Sequence, residues 1–273
     1  MSGITLAAST RANLLATQNT TDALDRTSLR LSTAKRVNAT TDNPLTFVMA
    51  KSLTNKANEF LAAKAPMGQS LSAIGSTLTG IKAISSIVDQ MKATANDAIN
   101  NPPEGRADAA KRFNTLREQL NSLANDAGYK GVNLLSSPAQ DLKINFDQNS
   151  GSSLTIDGVP SDAAALGIGD GVTSFNSFAT DADIQSAISA LGDAKNTLRS
   201  TASQIGNSAS IINTRLDFTE NLANTFESGA NKLVDADLNE EAAHLLALKI
   251  SHELGNASLG ITNQSQQAIL QLF

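Results

Sequence analysis

The sequence predicts a mainly α protein, an elongated bundle of long coiled-coil helices with a small β-hairpin element and with its N- and C-terminal helices paired. Three observations predict it. Apolar residues recur at alternating steps of three and four over two long segments, helix start and stop signals bracket those segments, and one short middle stretch alternates with period two. Scale adds a constraint on shape. A helix over 44–100 would run about 80 Å at about 1.5 Å per residue. A compact globule of this chain length has a radius of gyration of about 18 to 19 Å, hence a diameter of about 50 Å. Such helices do not fit inside a sphere, so a rod of helices packed side by side is expected.

The elements follow in chain order. The first stripe, Leu14, Thr17, Thr21, Leu24, Ser28 and Leu31, has helical spacing with half its positions polar. Thr41-Asp42-Asn43-Pro44 is a helix start, with capping side chains ahead of a proline at an early helical position. The helix it opens carries Leu71, Ile74, Leu78, Ile81, Ile84, Val88, Met91, Ala95 and Ile99 on one face. Pro66 lies inside that helix, where proline removes a hydrogen bond and clashes with the preceding turn, so a kink or short break is expected there. Asn100-Asn101-Pro102-Pro103-Glu104-Gly105 is a stop. A further helix should run from Arg106 to Ala127 and close on Gly128.

The middle differs in texture. Leu142-Lys143-Ile144-Asn145-Phe146 and Ser153-Leu154-Thr155-Ile156-Asp157 alternate around the turn-rich Asp147-Gln148-Asn149-Ser150-Gly151, which predicts a hairpin. Leu166-Gly167-Ile168-Gly169-Asp170-Gly171 follows as loop. Then Ile184, Ile188, Leu191, Leu198, Ala202, Ile205, Ala209, Ile212, Leu216, Thr219, Leu222 and Phe226 form a coiled-coil seam, with Lys195 as its charged intruder. The last stripe, Ala243, Ala247, Ile250, Leu254, Ala257, Ile261, Gln264 and Ala268, uses small residues. These boundaries give a terminal helical domain, 1–43 with 235–273, and a helical rod domain, 44–234, that includes the β-hairpin and loop region 139–178.

Composition removes whole classes of function. The 273 residues include no Cys and no Trp, and only 4% are aromatic, which excludes disulfide frameworks, Cys-ligated metals and thiol nucleophiles. A net charge of −5 argues against a phosphate-binding surface, so no nucleic-acid partner is expected. No run of about 18 apolar residues occurs, so no membrane insertion is expected. Met1 to Arg11 lack the basic start and apolar centre of a cleavable secretion signal.

The motifs that could carry chemistry are weak. Ser32-Thr33-Ala34-Lys35 matches a serine acyl-enzyme pattern without its companion triplets or α/β body, and reads as a polar helix end. Glu240 and His244 stand one turn apart, but a protein zinc site needs at least three ligands and His252 is two turns away, so a helix face is the favoured reading. The Gly167 loop lacks dinucleotide-fingerprint spacing. Asn38-Ala39-Thr40 and Asn256-Ala257-Ser258 fit the glycosylation pattern by chance. No cofactor and no catalysis are expected.

Neither terminal stripe can bury enough apolar surface alone to offset about 1 to 2 kcal/mol of backbone entropy per residue. Each end therefore needs a partner, and another copy of the chain is favoured, whereas the inner stripes read as bundle core. Leu14, Leu24, Leu31, Ala247, Ile250, Leu254, Ala257 and Ile261 are the candidate self-assembly positions.

Leu29-Arg30-Leu31-Ser32-Thr33-Ala34-Lys35-Arg36-Val37-Asn38, followed by Asp42-Asn43-Pro44, resembles the N-terminal signature of bacterial flagellins. Leu233-Val234-Asp235-Ala236-Asp237-Leu238-Asn239-Glu240-Glu241-Ala242 is similar to the family's C-terminal pattern, Gln264 to Phe273 resembles its Gln-rich, Leu-ended terminus, and Tyr129-Lys130-Gly131-Val132-Asn133-Leu134-Leu135 resembles its Phe/Tyr-x-Gly-x-x-Leu-Leu turn. The likeness covers nearly the whole chain and looks closest to α-proteobacterial members. Its signature positions here are Arg36, Asn38, Asp42, Asn43, Pro44, Asp235, Asp237 and Glu241.

The resemblance implies an extracellular filament subunit that polymerises with its own kind and is exported unfolded through the flagellar type III channel. It implies an export chaperone, held through Leu245, Leu248, Ile250 and Leu254, and contacts with hook-associated junction and cap proteins. With about 30 to 40 residues between the helical halves, the outer variable domains of larger members are absent. Gln90, Lys92, Ala93 and Thr94 stand where many members carry an Arg- and Glu-containing patch read by a Toll-like receptor, so weak or no stimulation is implied. The hook-filament junction protein, which shares the terminal helices, is the alternative.

Overall fold

Asn43 Oδ1 accepts the Thr46 amide at 3.0 Å and Pro44 takes the first helical position, so the second helix starts where its capping sequence places it. The structure, a computed structural model, describes residues 8–147 and 151–270. Among them are five α-helices: α1 (Ala8–Thr33), α2 (Pro44–Ile99), α3 (Pro103–Asp126), α4 (Asp181–Val234) and α5 (Leu238–Leu270). One antiparallel pair of strands, β1 (Leu142–Asn145) and β2 (Ser153–Ile156), sets Leu142 opposite Ile156 and Ile144 opposite Leu154. The centre of its predicted turn, 148–150, lies outside the described residues.

The chain divides into two compact units, Met1–Ala57 with Asn224–Phe273, and Asn58–Ala223. The division falls inside α2 and α4 rather than at the loops after residues 43 and 234. A small cluster accounts for that: Val37, Ala50, Ala230 and Val234, with Phe47, Leu53 and Leu233, packs the first turns of α2 and the last turns of α4 against the terminal segments.

Within Asn58–Ala223 the core is built from the stripes on α2, α3 and α4. Met67, Ile74, Ile84, Val88 and Met91 meet Phe113 and Leu120 of α3 and Ile184, Leu191, Leu198, Ile205 and Ile212 of α4. Ile144 and Ile156 attach the hairpin to the same core. The last turn of α2 departs from the expected stripe by burying Ala98 and leaving Ile99 exposed. On α4 the seam passes through buried Ala194, and the neighbouring Lys195 turns out to pair with Asp89. Contrary to expectation, α2 is long and apolar enough over one stretch of 18 residues to cross a membrane. The apolar residues of this helix pack into a protein core instead.

Two local expectations are corrected. The short break expected at Pro66 is absent: helix α2 is continuous there, with Pro66 and Ala62 on the exposed side, where the carbonyl that loses its partner is within reach of water. Helix α3 spans Pro103–Asp126 and does not close on a left-handed Gly128; its C-cap is Ala127, at φ −71° and ψ 8°. Its free carbonyls are satisfied from elsewhere. Asn133 Nδ2 donates to the carbonyls of Ala124 and Asn125 at 2.9 and 2.8 Å, and Ser76 Oγ donates to that of Ala127 at 3.1 Å. Gly80 lets α2 approach this terminus, since a Cβ there would stand 2.6 Å from that of Ala127.

Between the hairpin and α4, Asn176, Ser177 and Phe178 all have positive φ, making a left-handed turn that costs backbone energy at each residue. Packing holds it: Phe178 is fully buried, edge-on to Phe113 at a centroid distance of 5.5 Å, and Phe175 meets Phe113 at 5.9 Å. Thr180 and Asp183 then cap α4 reciprocally, each bonding the other's main-chain amide.

Asn133→Asp keeps the shape of the side chain and removes its N–H donors beneath two helix-end carbonyls. It should lower stability by about 1 to 3 kcal/mol, read as a shift in urea midpoint with unchanged slope.

Candidate assembly interface

The residues of α1 and α5 divide into two faces. The buried and half-buried positions of α1 include Thr10, Asn13, Thr17, Thr20, Leu24, Thr27 and Leu31; those of α5 are Glu241, Leu245, Leu248, His252, Gly255, Leu259 and Thr262. Both series step by three and four, the heptad spacing of a coiled-coil seam. The helices pair antiparallel, as three contacts fix: Arg30 to Glu241 at 3.3 Å, Thr17 beside Gly255, and Asn13 Nδ2 donating to Ser258 Oγ at 3.4 Å. A Cβ on Gly255 would lie 3.0 Å from Thr17 Oγ1, so the absent side chain permits the approach. By this register Leu24 faces Leu248 and Thr20 faces His252.

The seam is more polar than a bundle core. Thr17 and Thr20 turn their hydroxyls back to the carbonyls of Asn13 and Ala16, both at 2.9 Å, which satisfies them inside their own helix without a bond across the seam. The opposite face of α5 is apolar and open: Leu246, Ile250, Leu254 and Ile261 are between 51% and 68% exposed, and Ala243, Ala247 and Ala257 are exposed beside them. On α1, Leu14, Leu15 and Leu29 are exposed. Contiguous exposed apolar surface is the general signature of an interaction site.

The candidate positions therefore separate. Leu14, Ala247, Ile250, Leu254, Ala257 and Ile261 lie on exposed faces, whereas Leu24 and Leu31 are half-buried in the seam with α5. Of the four positions expected to meet an export chaperone, Leu245 and Leu248 are in the seam and Ile250 and Leu254 are exposed. Gln264 is exposed, and the side chain of Ala268 and the end beyond 270 lie outside the described residues. Thr10, Thr20 and Thr27 were missed as seam positions; their three-and-four spacing was legible, but threonine carries little apolar signal. Gln90, Lys92 and Ala93 are exposed on α2, and Thr94 bonds back to the Gln90 carbonyl at 3.0 Å. Ser32 bonds back to the Leu29 carbonyl at the end of α1, and His244 is exposed.

The signature residues meet where the terminal helices join the rest of the chain. The Arg36 amide donates to the Val234 carbonyl at 2.6 Å and the Ala236 amide to the Ala34 carbonyl at 3.0 Å, around a bridge between Lys35 and Asp235. Asp42 accepts the amides of Asn38 and Ala39 at 2.9 and 3.0 Å, and Asn38 Nδ2 donates to the Lys35 carbonyl. These amides hold the Asp42 carboxyl below its ordinary value of 3.8, helped by Arg30 and Arg26. Asp237 caps α5 by accepting the amides of Asn239 and Glu240. Glu241, almost fully buried, takes the Arg30 ion pair.

Two outcomes test this junction. Ala34 ends α1 with φ of 55°, a left-handed conformation that suits glycine, so Ala34→Gly should stabilise the protein by about 1 kcal/mol in urea unfolding. Because the folded value of Asp42 is depressed, its contribution is complete above about pH 3.8 and is lost as pH falls below it. Asp42→Asn should lower stability at neutral pH and flatten the acid side of the stability profile, measured by urea unfolding between pH 2 and 7, limits set about the carboxylate range.

The sequence is similar to those of known proteins. The family described as bacterial flagellin N-terminal helical region matches residues 3–139, and that described as bacterial flagellin C-terminal helical region matches 188–273. Flagellin FljO of Caulobacter vibrioides is 31% identical over 266 residues, covering 95% of each chain. A flagellin of Brucella melitensis is 30% identical over 265 residues, covering 93% of each. Among solved structures, Bacillus cereus flagellin is similar with a TM-score of 0.49 and 17% identity, over 56% of this chain and 88% of that one. With both helical halves matched and relatives aligned over nearly the whole length, the chain belongs to the bacterial flagellin family and is a structural protein of the flagellar filament.

Proposed function

We propose that the chain leaves the cell unfolded through the flagellar type III export system and polymerises at the filament tip through its terminal helices, without catalysing a reaction. The observation that carries this is the two-faced α5: a polar seam turned to α1 and an exposed stripe of Leu246, Ile250, Leu254 and Ile261. The stripe takes the terminal helices of neighbouring copies. A contact between different surfaces of identical subunits that does not close into a ring gives an open helical polymer.

The export chaperone fits the same helix at an earlier stage. Leu245 and Leu248 lie in the α1 seam, while Ile250 and Leu254 lie outside it. A partner that grips all four must hold α5 before α1 pairs with it, by a helix-in-groove mode. Chaperone binding and assembly then exclude one another. The absence of Cys and the few aromatic residues suit a chain that must unfold, cross a narrow channel and repack. Junction and cap proteins meet the same terminal helices at the ends of the filament, and Gln90 and Ala93 leave the receptor patch without its family charges.

Replacing Ile250 and Leu254 by Glu should cut seeded elongation by at least about a hundredfold, since burying each side chain is worth about 1.5 to 3 kcal/mol, while the far-ultraviolet dichroism of the monomer is unchanged. Elongation at the parent rate overturns the proposal. In electron micrographs of salted-out parent protein, long filaments support it and short collars favour the junction role.

A further inference from the structure

We infer that a groove between α2 and α4, lined by Lys82, Lys195 and Arg199 with Ser85 and Ser86, docks carboxylates on the α3 face of a second copy of this chain. The inference rests on the filament-subunit reading and names one contact inside the polymer. The groove has a volume of about 440 Å³, with Leu78, Ile81 and Leu198 along its floor. It holds three cations and one acid, Asp89, which is already paired with Lys195. Lys82 and Arg199 are exposed and have no ion-pair partner among the described residues.

That concentration of positive charge stands in an acidic body. Residues 58–223 hold 17 Asp or Glu and 12 Lys or Arg. Clustered like charges repel, and the acid of the groove, Asp89, is taken by Lys195. The complementary surface is on α3, where Glu118 and Asp126 lie two turns apart on the exposed side, neither paired with a cation among the described residues. Two copies meeting groove to groove would place cations against cations. Groove against α3 face is attractive, joins different surfaces and leaves both free at the two ends of the pair, so it propagates.

The test uses the full chain with Lys82→Glu and Arg199→Glu, with Glu118→Lys and Asp126→Lys, and with all four changes. Each is seeded with fragments of its own salted-out polymer, and growth is followed by light scattering at about 20 mM and 500 mM NaCl, where screening differs several-fold in range. Each double variant should grow about tenfold or more slowly at low salt, and the four-fold variant should recover to within about threefold of the parent. Thermal unfolding near the parent midpoint confirms that each variant is folded. A groove variant that grows like the parent overturns this inference alone. Slow growth without recovery in the four-fold variant assigns the groove another occupant, such as a free anion, and equally overturns it. A parent chain that fails to elongate overturns the subunit reading and this inference with it.

Discussion

In the seam between α1 and α5, Leu24 against Leu248 is the layer that is apolar on both sides by the observed register; the layers around it place threonine, asparagine, histidine, glycine or glutamate at the contact. A leucine layer buries enough hydrocarbon to hold helices together, at about 25 cal/mol per Å², whereas a threonine whose hydroxyl is satisfied within its own helix adds a methyl group and little more. The pair is therefore fixed in register by the Arg30–Glu241 ion pair and the Gly255 approach without being strongly fixed in energy. Polar seam positions trade stability for a defined alignment.

The outward stripe on α5 has the opposite character. Its leucines and isoleucines have no hydrogen bonds to arrange and gain free energy from any well-fitting apolar surface. One helix thus carries a weak, specific face toward its own chain and a strong, less specific face away from it. That ordering keeps the monomer from spending its apolar surface internally. The three-helix core of Asn58–Ala223 shows the contrasting solution, with Met67, Ile84, Met91, Phe113 and Ile184 fully enclosed, although Ile211 and Phe218 stay exposed on α4.

Periodicity made the long helices legible, because an apolar residue every three or four positions over fifty residues leaves one interpretation. The hairpin was legible for the same reason at period two. The α1 stripe was read partly one position away, at Thr21 and Ser28 instead of Thr20 and Thr27, since threonine and serine give no hydropathy contrast to locate a face. The end of α3 was misread because glycine at a helix terminus is a local signal, whereas the cap in use comes from Asn133, beyond the turn at Lys130 and Gly131, and from Ser76 on another helix. Pro66 did not break α2: the local penalty is real, but the helix stays continuous with solvent on that side. The candidate interface was visible as an apolar stripe on α5, yet which leucines faced α1 and which faced outward required the register, and three long-range contacts set that.

The clasp between the loop after α1 and the loop after α4 is made of main-chain groups: amides of Arg36, Val37 and Ala236 against carbonyls of Val234 and Ala34. Main-chain groups are the same in every residue other than proline, so evolutionary drift of the side chains at Lys35, Val234 or Ala236 leaves the clasp intact. A one-residue insertion or deletion in either loop does not, because it moves each amide past its carbonyl and rotates the attached helix about its axis. The loops are thus free in spelling and rigid in length, and their length sets which face of α5 looks outward.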